Sequence, residues 1–319
     1  MTKTNIHKIK SGVFLLFLTV FFNQSHAQTD MDAIMMNKQQ FCNGLMYNYN
    51  SWDYYWERTL KRNNQNLGTV STQSVTYNAN YGITNKLNIM ISAPFIWTNA
   101  SAGTLHGSKG LQDLSLFVKC EPYSWQSGKN KIAVYLIEGI STPLTNYQVD
   151  YLPLSIGLGT TNTISRIMAD FQHQRFTVTA SVAYIWRSNV KIDKTSYYDT
   201  QMELTNEVKM PDAAQFQLRT GYRGKYLLAE ALLTNWTTLG GFDITRNNMP
   251  FPSNRMNITT VGASFKYTIK QYTHLSILGG ANYTVAGRNA GQTRAFNAGA
   301  FYAFYVKKIS LKMLIIKTR

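Results

Sequence analysis

FTVTASVAYIWR, residues 176–187, decides the fold. Phe176, Val178, Ala180, Val182, Tyr184 and Trp186 fall on one face of an extended chain, and Thr177, Thr179, Ser181 and Arg187 on the other. Successive side chains of a strand point to opposite sides, so this alternation is a strand with one apolar and one polar face. The polar face carries hydroxyls and a single charge. A soluble sandwich would turn its apolar face inward and set its polar face against water. Here large aromatics gather at the end of the apolar face, as side chains at a membrane interface do.

The same rhythm runs outward in both directions. It places strands over 41–59, 67–81, 87–97, 114–120, 131–143 and 154–170 before this one, and over 216–222, 227–234, 261–269, 275–285 and 294–306 after it. Tight breaks, such as Gly82-Ile83-Thr84-Asn85-Lys86 and Arg223-Gly224-Lys225, follow the even-numbered strands. Longer polar stretches follow most odd-numbered ones, with a short connection at 61–64 as the exception. Short turns on one side and long loops on the other, with an even strand number, describe an all-β, antiparallel transmembrane β-barrel of about 12 strands. No run of eighteen apolar residues follows residue 27, so helical spans are not expected.

The N-terminus reads as an export signal. Lys3, Lys8 and Lys10 precede the apolar run 13–22, and Ser25-His26-Ala27 supplies small residues for cleavage. The expected organisation is a signal peptide over 1–27, a leader over 28–40 with little pattern, a barrel over 41–306 and a basic tail over 307–319. The chain carries 32 Lys and Arg against 16 Asp and Glu, a surplus that suits anionic surroundings. In an exported barrel those are outer-membrane lipid and lipopolysaccharide, or an anionic solute. No nucleic-acid-binding motif is present, and export argues against that partner. Cys42 and Cys120 could pair or stay as free thiols. The five His residues show no metal-ligand spacing, and no cofactor motif is found.

Three segments resemble a known family. They are YGITNKLNIMISAPFIW at 81–97, GSKGLQDLSLFVKC at 107–120 and LPLSIGLGTTNTISRIMADFQHQRFTVTASVAYIWRSNV at 152–190. In this order they are similar to the outer-membrane barrels of the phenol meta-pathway transporter-like family. Gln112 stands where that family usually has Gly, and the chain ends in the basic stretch 311–319 rather than in an aromatic strand end. The resemblance implies a transporter or porin-like role for small, often hydrophobic compounds in the outer membrane of a Gram-negative bacterium. It also implies insertion by the barrel-assembly machinery, and it supplies no catalytic residues.

His106, Ser108 and His274 are the candidates for hydrolase chemistry, but no GxSxG elbow accompanies them, and no enzymatic role is expected. Asp113, Lys119, Glu138, Arg187, Arg219, Glu230 and Lys266 fall on the polar faces and are the candidate lumen-lining residues. Charges are tolerated there because the lumen is wet or internally paired. Two readings follow. One is a channel or transporter with a polar path; the other is a non-conducting structural or surface-binding barrel closed by paired charges. The topology has a direct check. In a background lacking Cys42 and Cys120, Lys194→Cys should react with an impermeant thiol reagent on intact cells and Gly224→Cys should not; the reverse pattern would invert the orientation.

Overall fold

The computed structural model describes residues 29–244 and 251–306. The export signal and the basic tail lie outside the described residues. Twelve long strands form the wall: β1 (Gln40–Trp52), β2 (Val70–Thr84), β3 (Leu87–Ala100), β4 (Asp113–Ser127), β5 (Asn130–Pro143), β6 (Asn162–His173), β7 (Phe176–Arg187), β8 (Ala213–Arg223), β9 (Leu227–Thr238), β10 (Asn257–Thr268), β11 (Leu275–Arg288) and β12 (Arg294–Tyr305). Each pairs antiparallel with its neighbours in sequence. β1 also pairs with β12 from Gln40↔Tyr305 to Ser51↔Arg294, which closes the sheet into a barrel. A short strand, Lys109–Leu111, adds to β3 beyond Pro94. There β3 changes partner, so a residue without an N–H interrupts no continuous ladder.

The turns at one end are tight. Between β4 and β5, Gly128 takes a positive φ of 55°, and between β6 and β7 Gln174 does so at 54°. The chain ends of the barrel lie at this end too. The connections at the other end are long: 53–69, 101–112, 144–161, 188–212 and 239–256, with 289–293 as the short one. The expected loops around 101–110, 193–210 and 240–255 therefore share one end. Several strand boundaries differ from the sequence reading, among them the end of β4, which runs on to Ser127 rather than stopping at 120. β1 stops at Trp52, and Tyr54–Glu57 pairs with Leu60–Asn63 in a separate hairpin. The apparent short connection at 61–64 is thus part of a long loop. β6 begins at Asn162, not at 154. Leu154 and Ile156 are buried at the mouth, Thr98 donates to the Leu154 carbonyl at 2.6 Å, and Gly159 needs a φ of +70°.

Outward faces carry Leu136, Ile167, Val182, Leu218, Leu233, Val261 and Ile277, all exposed. Tyr123, Trp125, Phe171, Phe176 and Tyr222 ring the tight-turn end, and Phe95, Trp97, Tyr184 and Trp186 the loop end. An apolar band between aromatic girdles, on a sheet with no free edge, matches a lipid bilayer. In barrels of this kind the short turns face the periplasm and the long loops the exterior, and the two ends are named accordingly. Cys42 is buried inside against Met36, Phe301 and Ala303, while Cys120 lies on β4, and both thiols are free. Leu218, central on β8, tests the faces: Leu218→Arg should destabilise folding into vesicles by roughly 2–4 kcal/mol at the midplane. Thr234→Arg, pointing inward on β9, should cost clearly less. Equal losses in equilibrium folding would contradict this assignment.

Candidate functional site

The lumen is occupied by the chain itself. Residues 29–39, which precede β1, enter the barrel from the periplasmic end. At the entrance the Gln39 N–H donates to the Gly82 carbonyl at 2.7 Å, and the Val306 N–H donates to the Gln39 carbonyl at 2.8 Å. Gln39 takes a φ of 64°, turning the chain from the lumen into β1. Gly82 is required here, because a Cβ would stand 2.1 Å from the Asn37 carbonyl oxygen. Deeper in, Asp32 organises a tight turn. Its carboxylate accepts from the Thr29 N–H at 2.7 Å and the Ile34 N–H at 3.1 Å, a local side-chain turn of the kind Asp favours.

Apolar leader residues meet apolar wall. Ala33 and Met35 pack with Met90, Ala133, Tyr135, Ile137 and Met168, and Met36 is fully buried near Cys42 and Phe301. This explains why β5 reads as apolar on both faces: one meets lipid and the other meets the leader. It also corrects the reading of Glu138. The inward residues of β5 are Ala133, Tyr135, Ile137 and Ser141, so Glu138 is exposed on the outward face with Leu136 and Ile140. It pairs in register with Ser165, whose hydroxyl donates to it at 2.7 Å, and Ser165 in turn pairs with Tyr184 of the loop-end girdle. A carboxylate at that height reaches the membrane interface, where its charge can stay hydrated.

The remaining candidates divide between lumen and mouth. Lys119 is wholly buried; its Nζ donates to the Thr29 carbonyl at 3.3 Å and to the Asp32 carbonyl, and lies 3.3 Å from the Asp32 carboxylate. Arg219 donates to Glu230 at 2.9 and 2.6 Å and to the Met31 carbonyl at 3.1 Å. Glu230 and Lys266 are buried inside the barrel. Asp113 lies at the extracellular mouth and accepts from the Tyr147 hydroxyl at 2.8 Å. Arg187 is buried under the 188–212 loop. Its Nε donates to the Pro211 carbonyl at 2.6 Å, and its guanidinium lies over the Trp236 ring at 5.6 Å. His106 and His274 sit at opposite ends of the barrel.

Sequence reasoning left four wall charges out of the candidates, although Glu121 falls on the same face of its strand as Lys119. Arg166, Asp170, Arg223 and Glu121 also face inward. Arg223 donates to Asp170 at 2.9 and 3.2 Å, and Thr179 donates to the same carboxylate at 2.6 Å. Their signal was available: in β6, Arg166, Met168 and Asp170 alternate with Ile167, Ala169 and Phe171. The leader's Asp30 and Asp32 carried no such signal, because an irregular segment has no period. Between leader and wall lies a cavity of about 640 Å³. A second, of about 340 Å³, opens toward the periplasmic side, and both are lined by Ile34, Leu228 and Lys266.

Comparison with known proteins finds a matching family and a shared fold. A family model described as "Putative MetA-pathway of phenol degradation" matches residues 61–298. An outer membrane channel from Pseudomonas putida F1 superposes with a TM-score of 0.68 at 14% identity, covering 88% of this chain and 100% of that one. The toluene transporter TodX of Pseudomonas putida gives 0.37 at 10% identity, covering 83% and 88%. The transport unit of the autotransporter AIDA-I from Escherichia coli gives 0.45 at 12%, covering 87% and 93%. By sequence, no curated protein matches the chain. The position of the leader is open to a direct check. The Gln217 amide lies 3.8 Å from the Met31 sulfur. In a background without native cysteines, Met31→Cys with Gln217→Cys should be joined by a short bifunctional thiol reagent in the folded barrel. Met31→Cys with Leu218→Cys, which faces lipid, should not.

Proposed function

The chain belongs to the family of that model, and from this premise we propose that it is an outer-membrane channel for small hydrophobic molecules, with residues 29–39 as its internal plug. The observation that carries the reading is the character of the space beside the leader. The 640 Å³ cavity is bounded by Met46, Met90, Phe117, Leu232 and Leu278 together with amides, hydroxyls and the charged groups of Asp30, Asp32, Arg219 and Lys266. A wide aqueous porin has a predominantly polar, water-filled lumen, whereas small ligands with apolar bodies are taken up in concave, largely apolar sites with a few polar groups. Passage runs along the leader past Ile34 and Leu228, through the two cavities that share these residues. The Pseudomonas putida protein that shares the fold is an outer membrane channel, and the same role is proposed for this chain.

Two partners complete the reading. Lys109, Lys191, Lys194 and Arg255 lie on the extracellular loops or at their edge, where they would meet the anionic groups of lipopolysaccharide. The barrel-assembly machinery would insert the closed sheet. Planar-bilayer conductance tests the channel. The intact protein should give small, brief steps. A variant lacking residues 29–36 should give sustained steps larger by a factor of about three or more, because the space filled by the leader becomes water. Silence of both proteins across voltages and salts would favour the non-conducting structural barrel.

A further inference from the structure

The charges around the leader do not balance within the wall. At the depth of the leader, the described wall residues facing inward include five cations, Lys119, Arg166, Arg219, Arg223 and Lys266, and three carboxylates, Glu121, Asp170 and Glu230. Asp30 and Asp32 of the leader bring the carboxylates to five. Lys131, at the periplasmic rim beside Arg223 and Lys266, adds further positive charge. Two of the wall carboxylates are tied to wall cations: Asp170 to Arg223 at 2.9 Å and Glu230 to Arg219 at 2.6 Å. Lys119 and Arg166 take their ion pairs from the leader instead, at 3.3 Å to Asp32 and 3.6 Å to Asp30.

Arg166 is the less satisfied of the two. It is 4% exposed, and it makes one hydrogen bond, from Nη2 to the Gln215 side chain at 2.9 Å. Its Nε and Nη1 are buried without a hydrogen-bond partner. A guanidinium ordinarily takes a carboxylate through two parallel N–H donors, and Asp30 offers it only a long contact at one nitrogen. Both groups that touch Arg166, Asp30 and Gln215, line the 640 Å³ cavity, as do Arg219 and Lys266. The cavity's apolar residues Met46, Met90, Phe117, Leu232 and Leu278 stand on β1, β3, β4, β9 and β11, and Arg166 stands on β6, outside its lining, so a ligand in the cavity would reach Arg166 in the place that Asp30 occupies.

We infer that the lumen takes amphipathic anions, small molecules with an apolar body and a carboxylate, and that the ligand carboxylate replaces those of Asp30 and Asp32 on Arg166 and Lys119. This rests on the channel reading above and narrows its cargo. The leader then acts as a competing internal ligand. When it withdraws, it leaves two unpaired cations in a low-dielectric lumen, a costly state that an incoming carboxylate relieves. A neutral molecule of the same shape gives no such compensation, and an organic cation opposes it.

The test compares phenylacetate, 2-phenylethanol and phenethylammonium, three probes of similar shape and different charge, binding to the full-length mature protein in lipid nanodiscs by titration calorimetry. Phenylacetate should bind about tenfold or more tighter than 2-phenylethanol, the scale of one added charge-assisted hydrogen-bond pair. Asp30→Asn removes a competing carboxylate and should tighten phenylacetate by about threefold or more. Arg166→Gln should reduce the preference for acid over alcohol to below about threefold. If that variant does not fold, the wild-type comparison and Asp30→Asn decide alone. Equal affinities for acid and alcohol, or a preference for the ammonium, would overturn the inference and leave a hydrophobic cargo standing. No binding by any of the three would overturn the inference and the hydrophobic-cargo reading together.

Discussion

A backbone amide in hydrocarbon has no water to bond, so every N–H and C=O of the wall must find a partner in the protein. The pairing of β1 with β12 is where that condition is met, because it removes the two edges that a twelve-stranded sheet would otherwise present. The rest follows from closure. The outward residues become a lipid face and the inward ones a lumen. The chain that precedes β1 joins it at the rim of that lumen.

Closure also creates a space that has to be filled or wetted. Apolar inward residues on β5 and β6, Tyr135, Ile137 and Met168, would be costly against water, and Ala33 and Met35 of the leader cover them. Lys119 would be equally costly without a counter-charge, and Asp32 supplies it. Leader and wall are thus mutually dependent. Buried pairs of this kind stabilise little relative to apolar packing, but losing one partner is expensive, so they define where the leader sits more than how tightly it is held. At the other end, Leu154, Ile156 and the cluster of Val149, Val190, Ile192, Val208 and Met210 give the extracellular loops a small core of their own.

Passage through such a barrel requires something to move, and the leader is the element inside the lumen that belongs to no ladder of the wall. The cavities beside it are bounded by methionine, leucine and phenylalanine as well as by amides and cations. An apolar body and a polar head therefore have separate places in the same lumen. The cations that hold the leader's carboxylates are the groups that would hold the head.

Alternation between i and i+2 is local, so the sequence by itself determined the strands, their faces and the closed antiparallel architecture. FTVTASVAYIWR carries its inside and outside in its own order. The register of Lys119, Arg219, Glu230 and Lys266 was legible for the same reason. Tertiary structure alone decided what fills the lumen. Asp32 meets Lys119 across 87 residues and Met31 meets Arg219 across 188, and no short-range pattern encodes contacts at those separations. Nor could Glu138 be placed from its own strand, because β5 is apolar on both faces and its inner face is known as such only once the leader lies against it. A period-two pattern tells which residues share a side; which side is lipid depends on everything the barrel encloses.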